Sequence, residues 1–178
     1  MGTKPTIDSI REGVGDPQFL HNWKLNIVKF PAVGTYPDPE ALNWRCATSD
    51  IPTASVLNSS IVIRGHTVHY PSGIIKYSET LTLSFIEDTD GTVKEFIRQW
   101  REASAQTRTG KSNKKSQVEA IFELVLLGKE DEDAWRINLI GCIYENSNLQ
   151  SLESGANASI QTPTLTIKYD IFEDSKAS

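Results

Sequence analysis

The chain has 178 residues, 18 Lys and Arg against 23 Asp and Glu, and a formal net charge of -5, with 38% hydrophobic and 23% charged residues. That balance describes one soluble domain long enough to bury a core and excludes a disordered chain. It also counts against a general nucleic-acid binder, and with no apolar run of about 18 residues nothing spans a membrane as a helix.

Residues 1–17 mix Gly, Pro and charge without apolar period, so they read as a flexible arm with no secretory signal. From residue 20 to 30, Trp23, Leu25 and Ile27 alternate with Asn22, Lys24 and Asn26, the pattern of a half-buried strand. Three prolines and Gly34 make residues 31–39 a loop, and residues 43–49 form a second short strand. Residues 51–58 are expected to be irregular because Pro52 cannot donate to a ladder. Residues 60–65 are rich in Ile and Val and read as a strand, whereas 66–73, with Pro71, read as less regular. The clearest strand covers residues 77–86. It carries Leu81, Leu83 and Phe85 on one face and a hydroxyl row of Ser78, Thr80, Thr82 and Ser84 on the other.

Val93, Phe96, Ile97 and Trp100 then follow helical spacing, with Asp88, Thr89 or Asp90 placed to cap the first amides. Residues 104–116 lose periodicity and gather Arg108, Lys111, Lys114 and Lys115 in a basic loop. Residues 117–127 fit a strand or a helix. The strand is preferred because the Ile-rich 135–145 follows across an acidic tip of Glu130, Asp131, Glu132 and Asp133, as in a hairpin. Residues 146–162 form a polar loop, and 163–173 close the domain as a strand with Leu165, Ile167, Tyr169 and Ile171 facing in. Six or seven strands and one helix, with strands at both ends, imply a mainly antiparallel β-sandwich or barrel with one flanking helix.

No catalytic pattern emerges. His66 and His69 are three apart, which in an extended segment puts them on opposite faces and unable to share a metal ion. Asp88, Asp90 and Gly91 resemble the start of a calcium loop without its remaining ligands. Gly110-Lys111-Ser112 lacks the earlier glycine of a phosphate loop. Cys46 and Cys142, far apart in sequence, read as two buried thiols in preference to a disulfide. The expectation is therefore a non-enzyme with no cofactor and no metal. The hydroxyl row suits either a sheet continued by another subunit, a polar channel wall, or a plain solvent face. The basic loop (Lys111, Lys114, Lys115) and the acidic tip (residues 130–133) could meet across an interface between copies.

The order of elements resembles the tail tube protein of contractile-tailed phages, which shares its fold with the inner tube of type VI secretion. The likeness rests on the opening strand 19–30 and on Arg45-Cys46-Ala47-Thr48-Ser49-Asp50-Ile51-Pro52. It continues through the excursion 60–73, the strand–turn–helix from Leu81 to Trp100, the strand from Trp135 and the closing segment 164–172. It covers roughly residues 18–173, leaving 1–17 as an arm and 174–178 as a tail.

The resemblance implies a structural protein of the virion, assembled in the host bacterial cytoplasm. Hexameric rings would join their strands into one inner barrel and stack into a tube. Sheath, baseplate and tail terminator proteins would be partners, and DNA would pass through the lumen without specific binding. Six copies at -5 would make a ring strongly acidic, which would discourage DNA from sticking. On this basis Ile51, Pro52, His66, Tyr70, Ile74 and Ile75 are candidates for ring-to-ring contact, and Ser78, Thr80, Thr82 and Ser84 for channel wall or subunit seam. The alternatives are a baseplate or initiator adaptor of the same fold, the inner tube of a phage-derived injection system, or a ligand-binding β-barrel.

Overall fold

The computed structural model describes residues 18–150 and 159–177. The predicted arm, residues 1–17, and much of the predicted polar loop lie outside these residues.

Nine strands and three helices are present among the described residues, more than the six or seven strands and one helix expected. The strands are β1 (Trp23–Lys29), β2 (Cys46–Ser49), β3 (Ala54–Ile63), β4 (His66–Tyr77), β5 (Thr80–Phe85), β6 (Ala120–Leu127), β7 (Asp133–Asn148), β8 (Thr164–Lys168) and β9 (Ile171–Lys176). The helices are α1 (Pro39–Asn43), α2 (Thr92–Ser104) and α3 (Lys115–Val118). The fold is mainly β and antiparallel, as the alternation implied. A seven-stranded sheet runs β1-β6-β7-β8-β5-β2 with β9 on β7, and β3 and β4 form a separate two-stranded sheet.

The 16-residue β7 organises the sheet. Its first half pairs with β6 on one side and β9 on the other, and its second half pairs with β8. The change of partner falls at Gly141, whose φ of 73° is left-handed and natural only to glycine. A Cβ there would also stand 2.2 Å from the Asp170 carboxylate. Opposite this kink the predicted closing strand 163–173 breaks into β8 and β9. Ile171, expected inside, is therefore 38% exposed, while Leu165, Ile167 and Tyr169 are buried as expected. β9 continues to Lys176.

The sheet wraps around one core. Leu81, Leu83 and Phe85 of β5 meet Leu165 and Ile167 of β8, Phe122 of β6 and Leu139 of β7, and α2 covers them with Val93, Phe96, Ile97 and Trp100. Trp100 stacks on Phe122 at 5.7 Å, and its indole N–H donates to the Val118 carbonyl at 2.8 Å, which satisfies the polar atom that burial would otherwise strand. The predicted cap is corrected in detail. Gly91 holds the N-cap position in a left-handed conformation. The Glu87 carboxylate accepts from the Val93 and Lys94 amides at 3.0 and 2.9 Å, and Asp88 accepts from the Thr92 amide at 2.9 Å. Asp88 also pairs with Arg45 at 2.7 Å. The Thr92 contacts, backbone first, bring the Asp88 pKa down to about 2.

Candidate assembly surfaces

The stretches expected to be irregular, 51–58 and 66–73, fall largely within a hairpin that also takes in most of the strand expected at 60–65. β3 begins two residues after Pro52, and β4 takes in His66–Tyr77, including Pro71. The two ladders pair from Ala54↔Tyr77 to Ile63↔His66, with a register shift near Gly73. Pro71 fits because β4 has only one partner strand, leaving its other edge open. Both strands are exposed along nearly their whole length. A ten-residue strand extends about 33 Å, and an isolated hairpin of this kind is at best marginally stable in water.

The register sorts its side chains. Leu57, Ser59, Ile61 and Ile63 share one face with Tyr70, Val68 and His66, and this face is largely apolar. The other carries Asn58, Ser60, His69 and Thr67 beside Val56, Val62, Pro71 and Ile75. His66 and His69 thus lie on opposite faces of β4. Among the described residues no group of three or more metal-ligating side chains converges. Tyr70, Ile74 and Ile75 are all exposed on β4, at 49, 57 and 53%. Ile51 is exposed in the segment leading into β3, whereas Pro52 is buried.

The hydroxyl row continues across neighbouring strands. Thr82 faces Thr166, Ser84 faces Thr164 and Thr48, and Thr80 faces Lys168. β7 adds Asn146 opposite Thr166 and Asn148 opposite Thr164. The outer face of β7-β8-β5-β2 is therefore a field of hydroxyls and amides. Its charges are Asp50, whose carboxylate accepts from the Thr82 amide at 3.2 Å, and Glu145, paired with Lys168 at 3.1 Å. Ser78 lies outside β5, and its hydroxyl is hydrogen-bonded to the Tyr169 hydroxyl.

The charged candidates flank β6. Lys114 and Lys115 precede it at α3, Lys111 lies in the loop before, and residues 130–132 follow it at the β6–β7 tip. Two of the set are engaged within the subunit: Lys115 with Asp170, and Asp133 with both Lys24 and Arg136 at 2.7 Å. Glu132 turns back to accept from the Glu130 amide at 2.7 Å. The two patches are separated by the eight residues of β6, about 26 Å, so they do not meet inside one subunit.

Both cysteines are free thiols, Cys142 in the core and Cys46 half-buried. Burial raises each pKa to about 12.

Sequence reasoning named individual hairpin residues but missed that they form one arm. The β-branched run Ile61-Val62-Ile63 signalled its first strand, and Pro52 obscured where that strand begins.

A one-sided polar sheet with an unpartnered apolar arm defines a structural protein built to contact other chains. The chain belongs to the phage tail tube protein family, whose pattern matches residues 19–123, more than half of its length. The fold recurs in solved contractile injection systems. A chain of the anti-feeding prophage cap (AFP tube terminating cap) is 12% identical with a TM-score of 0.64, covering 92% of this chain and 93% of that one. A chain of the PVC sheath/tube terminator in the extended state is 13% identical with a TM-score of 0.63, covering 91% and 99%. One from the PVC sheath-tube complex in the extended state is 13% identical with a TM-score of 0.61, covering 98% and 100%. No curated protein matches the chain. The family makes this protein a structural component of a virion or phage-derived particle.

Proposed function

We propose that this chain forms hexameric rings that stack into the inner tube of a contractile phage tail, a conduit for DNA delivery. The observation that carries the proposal is the β3–β4 arm. It leaves the sheet between β2 and β5, and both its strands are exposed among the described residues. A second ring offers cover. Ile51, Pro52, His66, Tyr70, Ile74 and Ile75 then belong to, or lead into, the ring-to-ring contact.

The hydroxyl and amide face is the channel wall. Four strands at a spacing of about 4.8 Å span about 19 Å, and six copies span about 115 Å, a backbone diameter of about 37 Å before strand tilt. Thr80, Thr82 and Ser84 line such a channel beside Thr164 and Thr166, with Ser78 at its margin. With few charges, and its Lys168 paired to Glu145, the wall offers DNA few of the phosphate contacts that produce affinity. Lys111 and Lys114 at one end of β6, and Glu130 and Asp131 at the other, complement each other between stacked rings. Sheath, baseplate and terminator proteins are the remaining partners of the particle, which assembles in the host cytoplasm.

The likeness to tube cap and terminator chains supports a second reading, an adaptor that makes a single ring. Electron microscopy of the purified protein separates the two: long uniform tubes support the tube subunit, single rings the adaptor. Persistent monomers would overturn both. Ile74→Asp should leave the monomer folded and impair stacking, and normal polymerisation of that variant would remove β4 from the contact.

A further inference from the structure

Trp44 follows α1, leads into β2, and is 86% exposed. A tryptophan this bare is costly to leave in water and is the residue type most enriched at the centres of interfaces. It sits at one lateral end of the polar sheet, because β2 is the last strand of the order and has no strand on its far side among the described residues.

The opposite lateral end carries a groove. β6 follows β7 only as far as Cys142, so Ile143–Asn148 has β8 on one side and no strand on the other among the described residues. Beside that open edge, between α2 and the end of β7, lies a cleft of about 470 Å³ whose walls include Ile97, Ser147 and Leu149 and whose rim mixes Lys94, Arg98 and Arg101 with Asp90 and Glu95. Leu149 on its wall is 39% exposed.

Knob and groove stand at the same end of the strands. The register row Thr48↔Ser84↔Thr164↔Asn148 crosses the sheet, with Trp44 just before Thr48 and Leu149 just after Asn148. Glu40 and Lys24 share the depression beside Trp44, and the groove rim carries Lys94 and Arg101 with Asp90 and the Arg98–Glu95 ion pair. An arginine side chain at that rim is suited to the face of an indole. The sheet alternates antiparallel across its four strands. A copy moved sideways without being turned over therefore sets its β7 edge antiparallel to β2. Both other outer edges are blunted. The Ile27 amide of β1 donates to the Asn43 side chain at 3.2 Å, and β9 presents Glu173, Asp174 and Lys176.

We propose that Trp44 of one copy docks in the α2–β7 groove of the next, anchoring the lateral contact that closes the ring. The assignment rests on the ring reading above and adds its partner surface: a second copy of this chain. Because knob and groove are different patches, the contact is heterologous and propagates around an axis.

The test uses the full chain and two variants, Trp44→Ala and Leu149→Glu, with size followed by sedimentation velocity and folding by circular dichroism. Each variant should need about 30-fold more protein than the native chain to form rings, the equivalent of about 2 kcal/mol. Mixed together they should form one-to-one pairs and no rings, since one knob and one groove remain intact. Assembly of Trp44→Ala at the native concentration, or a mixture that stays monomeric, would overturn the assignment and leave the ring reading standing. If the native chain itself never assembles, both fail.

Discussion

Substitution of Ile61 by Asp separates the arm from the body. Ile61 lies on the apolar face of the hairpin and is 46% exposed. Fully burying an isoleucine side chain contributes about 1.5–3 kcal/mol, so covering the remaining half contributes about 1 kcal/mol per copy. Aspartate forfeits that and places a carboxylate against apolar side chains, for at least about 2 kcal/mol more. The loss of about 3 kcal/mol is about 150-fold for one contact, and it repeats around the ring. Inside the subunit the same change loses only the pairing with Val68, worth about 0.2–1 kcal/mol. Leu83→Ala is the reverse case. Leu83 is 0% exposed, so its truncation should cost the monomer about 2–5 kcal/mol. Urea denaturation of dilute protein measures the loss within the monomer, and electron microscopy with sedimentation measures the loss of assembly. The reasoning is refuted if Ile61→Asp polymerises normally, or if it weakens the monomer as much as Leu83→Ala does.

Two further outcomes are expected. The folded-state pKa of Asp88 lies at about 2, below its unfolded value, so its stabilising contribution is present above about pH 4 and is lost as pH falls through 2. Asp88→Asn should flatten that part of the acid-denaturation curve, and an unchanged curve would remove Asp88 from the capping of α2. Gly141→Ala should cost about 1–2 kcal/mol for the left-handed backbone alone. If denaturation shows it neutral, the kink in β7 does not depend on glycine.

Much of the body was legible from periodicity. Leu81, Leu83 and Phe85 against Thr80, Thr82 and Ser84 declared a strand with two different faces, and Val93 to Trp100 declared the helix that covers it. Those patterns are local, set by the two-residue and 3.6-residue repeats of the backbone. The strand breaker Pro52 was read too broadly. It ends one segment, but two residues later β3 begins and continues with β4 past Pro71, because a strand with one open edge tolerates a missing amide. The split of the closing strand at Asp170 was invisible because its cause is Gly141, 29 residues earlier, which bends β7 and changes its partner.

By itself, the sequence determined the class of fold, the core, the hydroxyl row and the absence of a recognisable catalytic motif, since each follows from residue type and short spacing. Only the tertiary structure showed that the hydroxyls of β5 join those of β8 and the amides of β7 in one face. Only it showed that the segment around Ile61 is a single projecting arm, and that Trp44 and the α2–β7 groove mark opposite ends of the same sheet. Those facts depend on strand order and register, which join residues as far apart as Thr80 and Lys168 through hydrogen bonds that no local pattern encodes.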